Sequence, residues 1–196
     1  MDSILPPVLA DVNRLQISQV GEALASAHYR RLLKTISPST HPSLTISLMT
    51  NLKLVSEETW RAIGPAADCI KTIAASIDGA TPATLEKLRR GITWERMTEA
   101  MEFVAGLRRR SKIDSLDVMY IVQRDNFREL SQMLEMCSSY SVDILTLARI
   151  SAHGSYTNEQ FKDIDVGDPS HPLHSEYREA IESVQALREQ MLDNKE

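Results

Sequence analysis

The order of apolar and polar residues along the chain shows two periods, one of two residues and one of three to four. Short stretches that alternate, or that are continuously apolar, are bounded by turn residues and predict β-strands. The predicted strands are residues 15–20, 44–49, 70–77, 117–122 and 142–150. The segments between them carry apolar residues at helical spacing, as in Trp94, Met97, Met101 and Val104. This alternation predicts an α/β fold with parallel strands and with the helices on the outside.

Two of the predicted helices have clear start signals. Ser56 precedes two glutamates and is expected to cap a helix, because acidic residues suit the positive end of a helix dipole. Thr81 followed by Pro82 predicts a second helix start, and Gly91 predicts the end of that helix.

Two further signals lie close to the predicted strand ends. Asn126 and Glu129 have the spacing of a capping box, in which the two side chains bind the backbone at the start of a helix. Gly79 follows the third predicted strand, and a glycine allows a backbone conformation that residues with a Cβ resist. We therefore expect Asn126 to open a helix and Gly79 to shape a turn.

A length of 196 residues is typical of a single domain. Residues 1–14 contain two adjacent prolines and are predicted to be a lead-in. Residues 15–153 contain the strand–helix repeats. Residues 154–196 are predicted to form a connection, acidic over residues 163–174, followed by a C-terminal helix.

The composition limits the classes of partner. The chain has 22 Lys and Arg against 27 Asp and Glu, and its basic residues are scattered, so we expect no nucleic-acid partner. No apolar run reaches the roughly 18 residues of a membrane span, and the first residues lack the pattern of a signal peptide. The two cysteines, Cys69 and Cys137, lie far apart in the sequence, which argues against a disulfide framework or a zinc site. We expect a cytoplasmic protein that does not bind a membrane.

Polar residues follow each of the five predicted strands. Ligands of parallel α/β sheets bind at the carboxyl ends of the strands, so these residues are candidates for a binding site. For any single pair, an ordinary polar turn explains the residues equally well. The candidates are Gly21 and Glu22, Thr50 and Asn51, Ser76 and Asp78, Gln123 and Asn126, and Arg149 and His153.

Three of these strand ends and one further segment, in this order and spacing, resemble the radical S-adenosylmethionine (radical SAM) enzymes. They are Gly21-Glu22, Thr50-Asn51, residues 76–81 and residues 88–91. The resemblance implies a partial, open, parallel α/β barrel. In this family a 4Fe–4S cluster, held by three cysteines spaced CxxxCxxC after the first strand, binds S-adenosylmethionine and cleaves it to start radical chemistry.

The resemblance also implies which residues hold the cofactor. Gly21 and Glu22 match the segment that contacts its amino group, Ser76 and Asp78 match the strand end near its ribose, and either Arg89 or Arg90 would face its carboxylate. The cofactor-binding residues implied in this way are Gly21, Glu22, Asn51, Ser76, Asp78, Arg89 and Arg90. For Glu22, a capping role is equally compatible with the sequence, and Arg89 and Arg90 suit the negative end of a helix dipole.

The sequence departs from the family because it contains no CxxxCxxC motif. Residues 15–20 match the second strand of the family, so we expect the first strand and its cluster loop to be missing. Cys69 is predicted at the amino end of a strand and Cys137 on a helix, where neither replaces a cluster ligand. We therefore expect no catalytic residue and no catalysis by this chain alone, although the family is one of enzymes.

Two alternatives follow from this departure. The chain is either a cluster-free module that binds a nucleoside or another protein, or half of a split enzyme. If strand 15–20 is unpaired on one side, its backbone groups form an edge that proteins usually cover. A second chain, or self-association at that edge, is therefore expected.

Overall fold

The computed structural model describes residues 9, 11–17, 22–152 and 154–193. In this part of the chain, five strands form one sheet and follow each other in sequence order across it. The strands are β1 (Arg14–Ile17), β2 (Thr45–Thr50), β3 (Ile70–Ser76), β4 (Ser115–Val122) and β5 (Ile144–Arg149). β1 pairs with β2 in parallel, and β2 pairs with β3 in parallel. The predicted α/β class with parallel strands is confirmed.

Helices lie between the strands and after the last one. They are α1 (Ala27–Leu33), α2 (Glu57–Ile63), α3 (Pro82–Leu88), α4 (Trp94–Arg109), α5 (Leu130–Ser139), α6 (Asn158–Ile164) and α7 (His174–Asp193). Short 3₁₀ turns at Ala23–Ala25, Gly64–Cys69 and Phe127–Glu129 complete the regular structure that is described. α6 lies in the region where the sequence predicts only a connection.

The fold contains two compact units. The first comprises the described residues up to Ser76, together with Glu95–Asp117 and Val142–Ile144. Its core is built by the alternately buried residues of β2 and β3, such as Ile46, Leu48 and Ile73, and by the apolar stripe of α4. The stripe predicted for α4 is confirmed, because Met97, Met101 and Val104 are all buried.

The second unit comprises Ile77–Trp94, Val118–Ser141 and the described residues from Leu145 onward. Tyr120 and Phe127 are its largest fully buried side chains. α5 packs against α7, and the ring of Phe127 meets the ring of Tyr177 edge to face with their centres 6.3 Å apart. This unit holds the helix α3 that follows the central strand.

The predicted helix starts have different outcomes. The hydroxyls of Ser56 and Thr81 accept hydrogen bonds from the backbone N–H of the third residue of their helices, so both predicted caps are confirmed. The capping box predicted for Asn126 and Glu129 is wrong, since neither side chain caps the helical turn between them. Glu129 instead binds residues that are distant in sequence, and Asn126 binds the preceding turn together with the distant Asp78.

None of the helices in the described ranges is long and apolar enough to cross a membrane.

Candidate functional site

A cleft of about 360 Å³ lies in the second unit, next to the carboxyl ends of β4 and β5. Its apolar part includes Leu88, Ile121 and Ile150. Its charged and polar part contains one carboxylate, two guanidinium groups, an amide and hydroxyl groups. These side chains are Asp78, Arg89, Gln123, Arg149, Ser151, Ser155 and Tyr156.

Asp78 and Arg89 form one wall of the cleft and contact each other. Asp78 Oδ2 lies 2.6 Å from Arg89 Nε, and Asp78 Oδ1 accepts a hydrogen bond from the Ile121 N–H at 2.9 Å. Asp78 is buried, and the side chain of Arg89 is 24% exposed. Two of the residues predicted to contact the cofactor are therefore brought together as an ion pair.

Arg149 is held in place by the acidic connection after β5. Its Nε donates to Asp165 Oδ1 at 2.7 Å, and its Nη2 donates to Asp165 Oδ2 at 2.6 Å. These bonds to Asp165 raise the pKa of the Arg149 guanidinium. Asp165 is buried, whereas the side chain of Arg149 is 50% exposed. A Cβ on Gly167 would lie 2.7 Å from Arg149 Cδ, so the glycine leaves room for this side chain.

Asn126 connects the strand ends beneath the cleft. Its Nδ2 donates to the carbonyls of Ile121 at 2.8 Å and Asp78 at 3.1 Å, while its Oδ1 accepts from the Gln123 N–H at 2.7 Å. Its own carbonyl accepts a hydrogen bond from the hydroxyl of Tyr120, whose pKa is raised by burial. The Asn126 side chain therefore fixes the turn after β4, which is why it does not cap a helix.

Glu129 binds the start of α3. Its Oε2 accepts from the Ala80 N–H at 2.8 Å, and its Oε1 accepts from the hydroxyls of Thr81 and Thr84. α3 also approaches the strand end closely, since a Cβ on Gly79 would lie 2.3 Å from the backbone nitrogen of Leu85. Gly79 is thus required because a side chain at this position would clash with α3. The sequence predicts a different reason, an unusual backbone conformation, and that reason is wrong.

In the first unit, the predicted candidates Glu22, Thr50 and Asn51 form a cluster. The Glu22 carboxylate accepts hydrogen bonds from the Thr50 hydroxyl at 3.0 and 3.1 Å, the Asn51 N–H at 2.8 Å and the Leu24 N–H at 3.2 Å. Asn51 Oδ1 accepts from the Lys53 N–H at 3.0 Å. Glu22 therefore caps the turn that follows it and joins that turn to the end of β2. Capping is the alternative role that the sequence leaves open for Glu22.

The backbone after β2 has an unusual conformation. Leu52 is fully buried and has a φ of 67°, a region that residues with a Cβ rarely adopt. Arg96 donates to the carbonyls of Lys53 and Val55 and so ties this loop to α4. The loop that carries Asn51 is held rigidly.

The remaining predicted residues have different placements. Gly21 and His153 lie outside the described residues, Ser76 is half-buried and Arg90 is exposed. The sequence interpretation did not select Tyr156, Asp165 or Gly167 as site residues, because they lie in a segment without apolar periodicity. Gln123 and Arg149 were noted only as residues at strand ends.

The two cysteines do not fit a 4Fe–4S cluster. Both are buried, and burial raises the pKa of the Cys69 thiol and raises that of Cys137 to about 12. The family holds its cluster with three cysteines, and this chain has two, both with buried side chains. In the ranges that the structure describes, no three His, Cys, Asp or Glu side chains are grouped so that they could hold a metal ion.

Comparison of the sequence with known proteins gives no relative. No family model matches the chain, and no curated protein matches it.

Solved structures, in contrast, share the fold. Streptococcus suis SuiB bound to its precursor peptide SuiA matches with a TM-score of 0.61 and 14% identity over 90% of this chain and 36% of SuiB. The enzyme anSMEcpe with bound AdoMet and a peptide matches with a TM-score of 0.54 and 16% identity over 83% of this chain and 49% of the other. TYW1 with a lysine–pyruvate adduct matches with a TM-score of 0.50 and 18% identity over 75% of this chain and 44% of the other.

These three proteins are radical SAM enzymes. The chain therefore has a radical SAM-like fold, as the resemblance implied. It spans about a third to a half of the length of these solved chains, which agrees with the predicted partial barrel.

Proposed function

We propose that this chain is a nucleoside-cofactor-binding domain of radical SAM type, and that its cleft binds S-adenosylmethionine. The observation that carries the proposal is the set of groups in the cleft: two arginines, a buried amide and an exposed aromatic ring. A cavity with apolar walls and a few convergent polar groups is the usual form of a small-molecule site.

Each part of the cofactor has a chemically suited partner. The carboxylate suits Arg89, because a planar guanidinium binds a carboxylate better than a lysine does. The adenine ring suits Tyr156, which is 42% exposed and offers an aromatic face for stacking. Support also comes from two of the solved neighbours, since SuiB and anSMEcpe are both known with bound S-adenosylmethionine.

Bound S-adenosylmethionine would supply an adenosyl group for radical chemistry, and that chemistry would need a reduced iron–sulfur cluster. The two buried cysteines described above are too few for such a cluster, so we propose that these 196 residues bind the cofactor without cleaving it. Their role is to hold and orient the adenosyl and methionine parts.

Isothermal titration calorimetry with the full chain tests this proposal. S-adenosylmethionine should bind more tightly than its decarboxylated form, and Arg89→Gln should reduce that preference roughly tenfold or more. The neighbouring Arg90→Gln is the matched control and should keep the preference, because Arg90 is exposed and does not line the cleft. Absence of binding by the wild-type chain, or equal effects of the two variants, would count against the proposal.

A second proposal concerns the edge of the sheet. β1 is the first strand in the sheet order and pairs only with β2 among the described residues, and its Arg14 and Gln16 are exposed. We propose that another polypeptide strand pairs with β1, as in a split enzyme or an oligomer. Sedimentation velocity should then show self-association, and a monodisperse monomer at all concentrations would count against the proposal.

A further inference from the structure

Gln123 combines deep burial with an unused hydrogen-bonding group. It is 8% exposed, it follows β4 directly, and it lines the cleft. Its backbone N–H donates to Asn126 Oδ1, and its carbonyl accepts from the N–H groups of Asn126 and Phe127. Its side-chain amide, however, makes no hydrogen bond to any residue that the structure describes. The backbone of Gln123 is fixed while its amide is available.

A buried amide without a protein partner lowers stability unless water or a ligand binds it. Most buried side-chain amides in proteins are satisfied by other protein groups or by ordered water. No atom of the Gln123 amide is both fully buried and unpaired, so the amide is reached from the cleft and can bind a ligand there. Leucine, which is similar in size, would fill the same space at a lower desolvation cost, so packing alone does not explain a glutamine here.

The chemistry of the amide narrows the class of ligand. A primary amide offers one donor and one acceptor side by side, and it matches a ligand edge that offers an acceptor beside a donor. The adenine edge formed by N7 and the N6 amino group has this arrangement, and glutamine is a known partner for it. Tyr156 belongs to the same cleft and is suited to stack on a flat heteroaromatic ring rather than on a peptide.

We propose that Gln123 reads the N6–N7 edge of the adenine base and is the residue that makes the cleft selective for adenosyl ligands. This inference rests on the proposed function, because it assigns a base-recognition residue to the same cleft. The role is in binding and specificity and involves no bond making. An inosyl ligand presents two acceptors on that edge and matches only half of the amide.

Calorimetric titration of the wild-type chain with S-adenosylhomocysteine and S-inosylhomocysteine measures this selectivity. The adenosyl ligand should bind roughly 10- to 100-fold more tightly. Gln123→Leu should remove most of that preference, chiefly by weakening the adenosyl ligand. Gln132→Leu is the matched control, since Gln132 is exposed on α5 and the substitution is identical.

A thermal melt without ligand separates a binding role from a structural one. Because the Gln123 amide has no partner among the described residues, Gln123→Leu should leave the Tm of the free chain unchanged or raise it. A clear fall in Tm, together with equal weakening of both ligands, would assign Gln123 a structural role and overturn the inference. Unchanged selectivity in Gln123→Leu would overturn it while leaving the proposed function intact. If the wild-type chain binds neither ligand, both proposals fail.

Discussion

Asp78 Oδ2 lies 2.6 Å from Arg89 Nε, so the carboxylate after the central strand and the guanidinium after α3 form one ion pair at the wall of the cleft. Asp78 also accepts the Ile121 N–H, which links the pair to β4. The charge of Arg89 is therefore fixed in position before any ligand arrives. A preorganised cation of this kind loses little conformational entropy on binding an anion.

The Asp78–Arg89 pair should show strong energetic coupling. Asp78→Asn weakens the ion pair and the bond to the Ile121 N–H, and we expect the free energy of unfolding to fall by about 2 kcal/mol. Arg89→Gln leaves the Asp78 carboxylate buried without its cation and should also be destabilising. In urea unfolding, the double variant should lose less than the sum of the two single variants. Simple addition of the two losses would argue against a direct interaction.

Gly79 should not tolerate even a single added methyl group. The Cβ of Gly79→Ala would lie 2.3 Å from a backbone atom of α3, which cannot move without displacing the helix, and we expect a loss of roughly 2–4 kcal/mol. Gly106→Ala is the control. Its Cβ would meet the flexible end of Arg110 at 3.1 Å, inside a helix where alanine is favoured over glycine by up to about 1 kcal/mol. Chemical denaturation should show a large loss of stability in Gly79→Ala and either a small loss or a gain in Gly106→Ala.

Glu129 should stabilise the start of α3 through its charge. In Glu129→Gln, an amide group replaces one of the two oxygens that accept from Ala80, Thr81 and Thr84, and we expect a loss of about 1–3 kcal/mol. Glu135→Gln makes the same change on the exposed face of α5 and should be within about 0.5 kcal/mol of the wild type. Hydrogen exchange at the Ala80 amide should accelerate only in the Glu129 variant. Equal exchange rates in the two variants would contradict this role.

Asp143 should make the stability of the first unit depend on pH. Hydrogen bonds from Arg108 and from the Leu116 N–H lower the pKa of the Asp143 carboxyl below its ordinary value of about 3.9. A carboxyl with a lowered pKa in the folded state stabilises the protein above the unfolded-state pKa, and this contribution is lost as the pH falls through the folded-state pKa. Asp143→Asn should therefore cost about 1 kcal/mol at pH 7.

The cost of Asp143→Asn should decrease as the pH falls below about 4, because the wild-type carboxyl becomes protonated there. Denaturant melts at a series of pH values measure the difference between the two proteins. Asp68→Asn, at an exposed position of the same unit, is the control for the chemical change itself. A cost of Asp143→Asn that stays constant between pH 7 and pH 3 would contradict the assignment.

The sequence predicted the sheet well, because each strand has a local pattern that its neighbours do not alter. β2 is an example, since its residues are alternately half-buried and buried over Thr45–Thr50. The same local reasoning was wrong for Asn126 and Glu129. Their spacing is that of a capping box, but Asn126 binds the turn after β4 and the distant Asp78, whereas Glu129 binds the start of α3 at Ala80, 49 positions away. A local motif carries no information about tertiary partners that compete for the same side chain.

The cleft was predictable only in part for a related reason. Gln123 and Arg149 end predicted strands, and a parallel sheet brings such ends to one edge. The segment that contains Tyr156, Asp165 and Gly167 has neither the two-residue period of a strand nor the helical period. The positions of these residues therefore depend on tertiary contacts that the sequence does not reveal. The buried carboxylate of Asp165, which orients Arg149, is visible only in the folded chain.

The hydrogen bonds between Glu22 and Thr50 also have a consequence for evolution. The two positions lie 28 residues apart, yet a single carboxylate satisfies the Thr50 hydroxyl and two backbone amides. A substitution of Thr50 that removes its hydroxyl changes what position 22 must provide, and the reverse also holds. In an alignment of homologous sequences, the residues at positions 22 and 50 are therefore expected to vary together, because the turn after β1 and the end of β2 depend on the same hydrogen bonds.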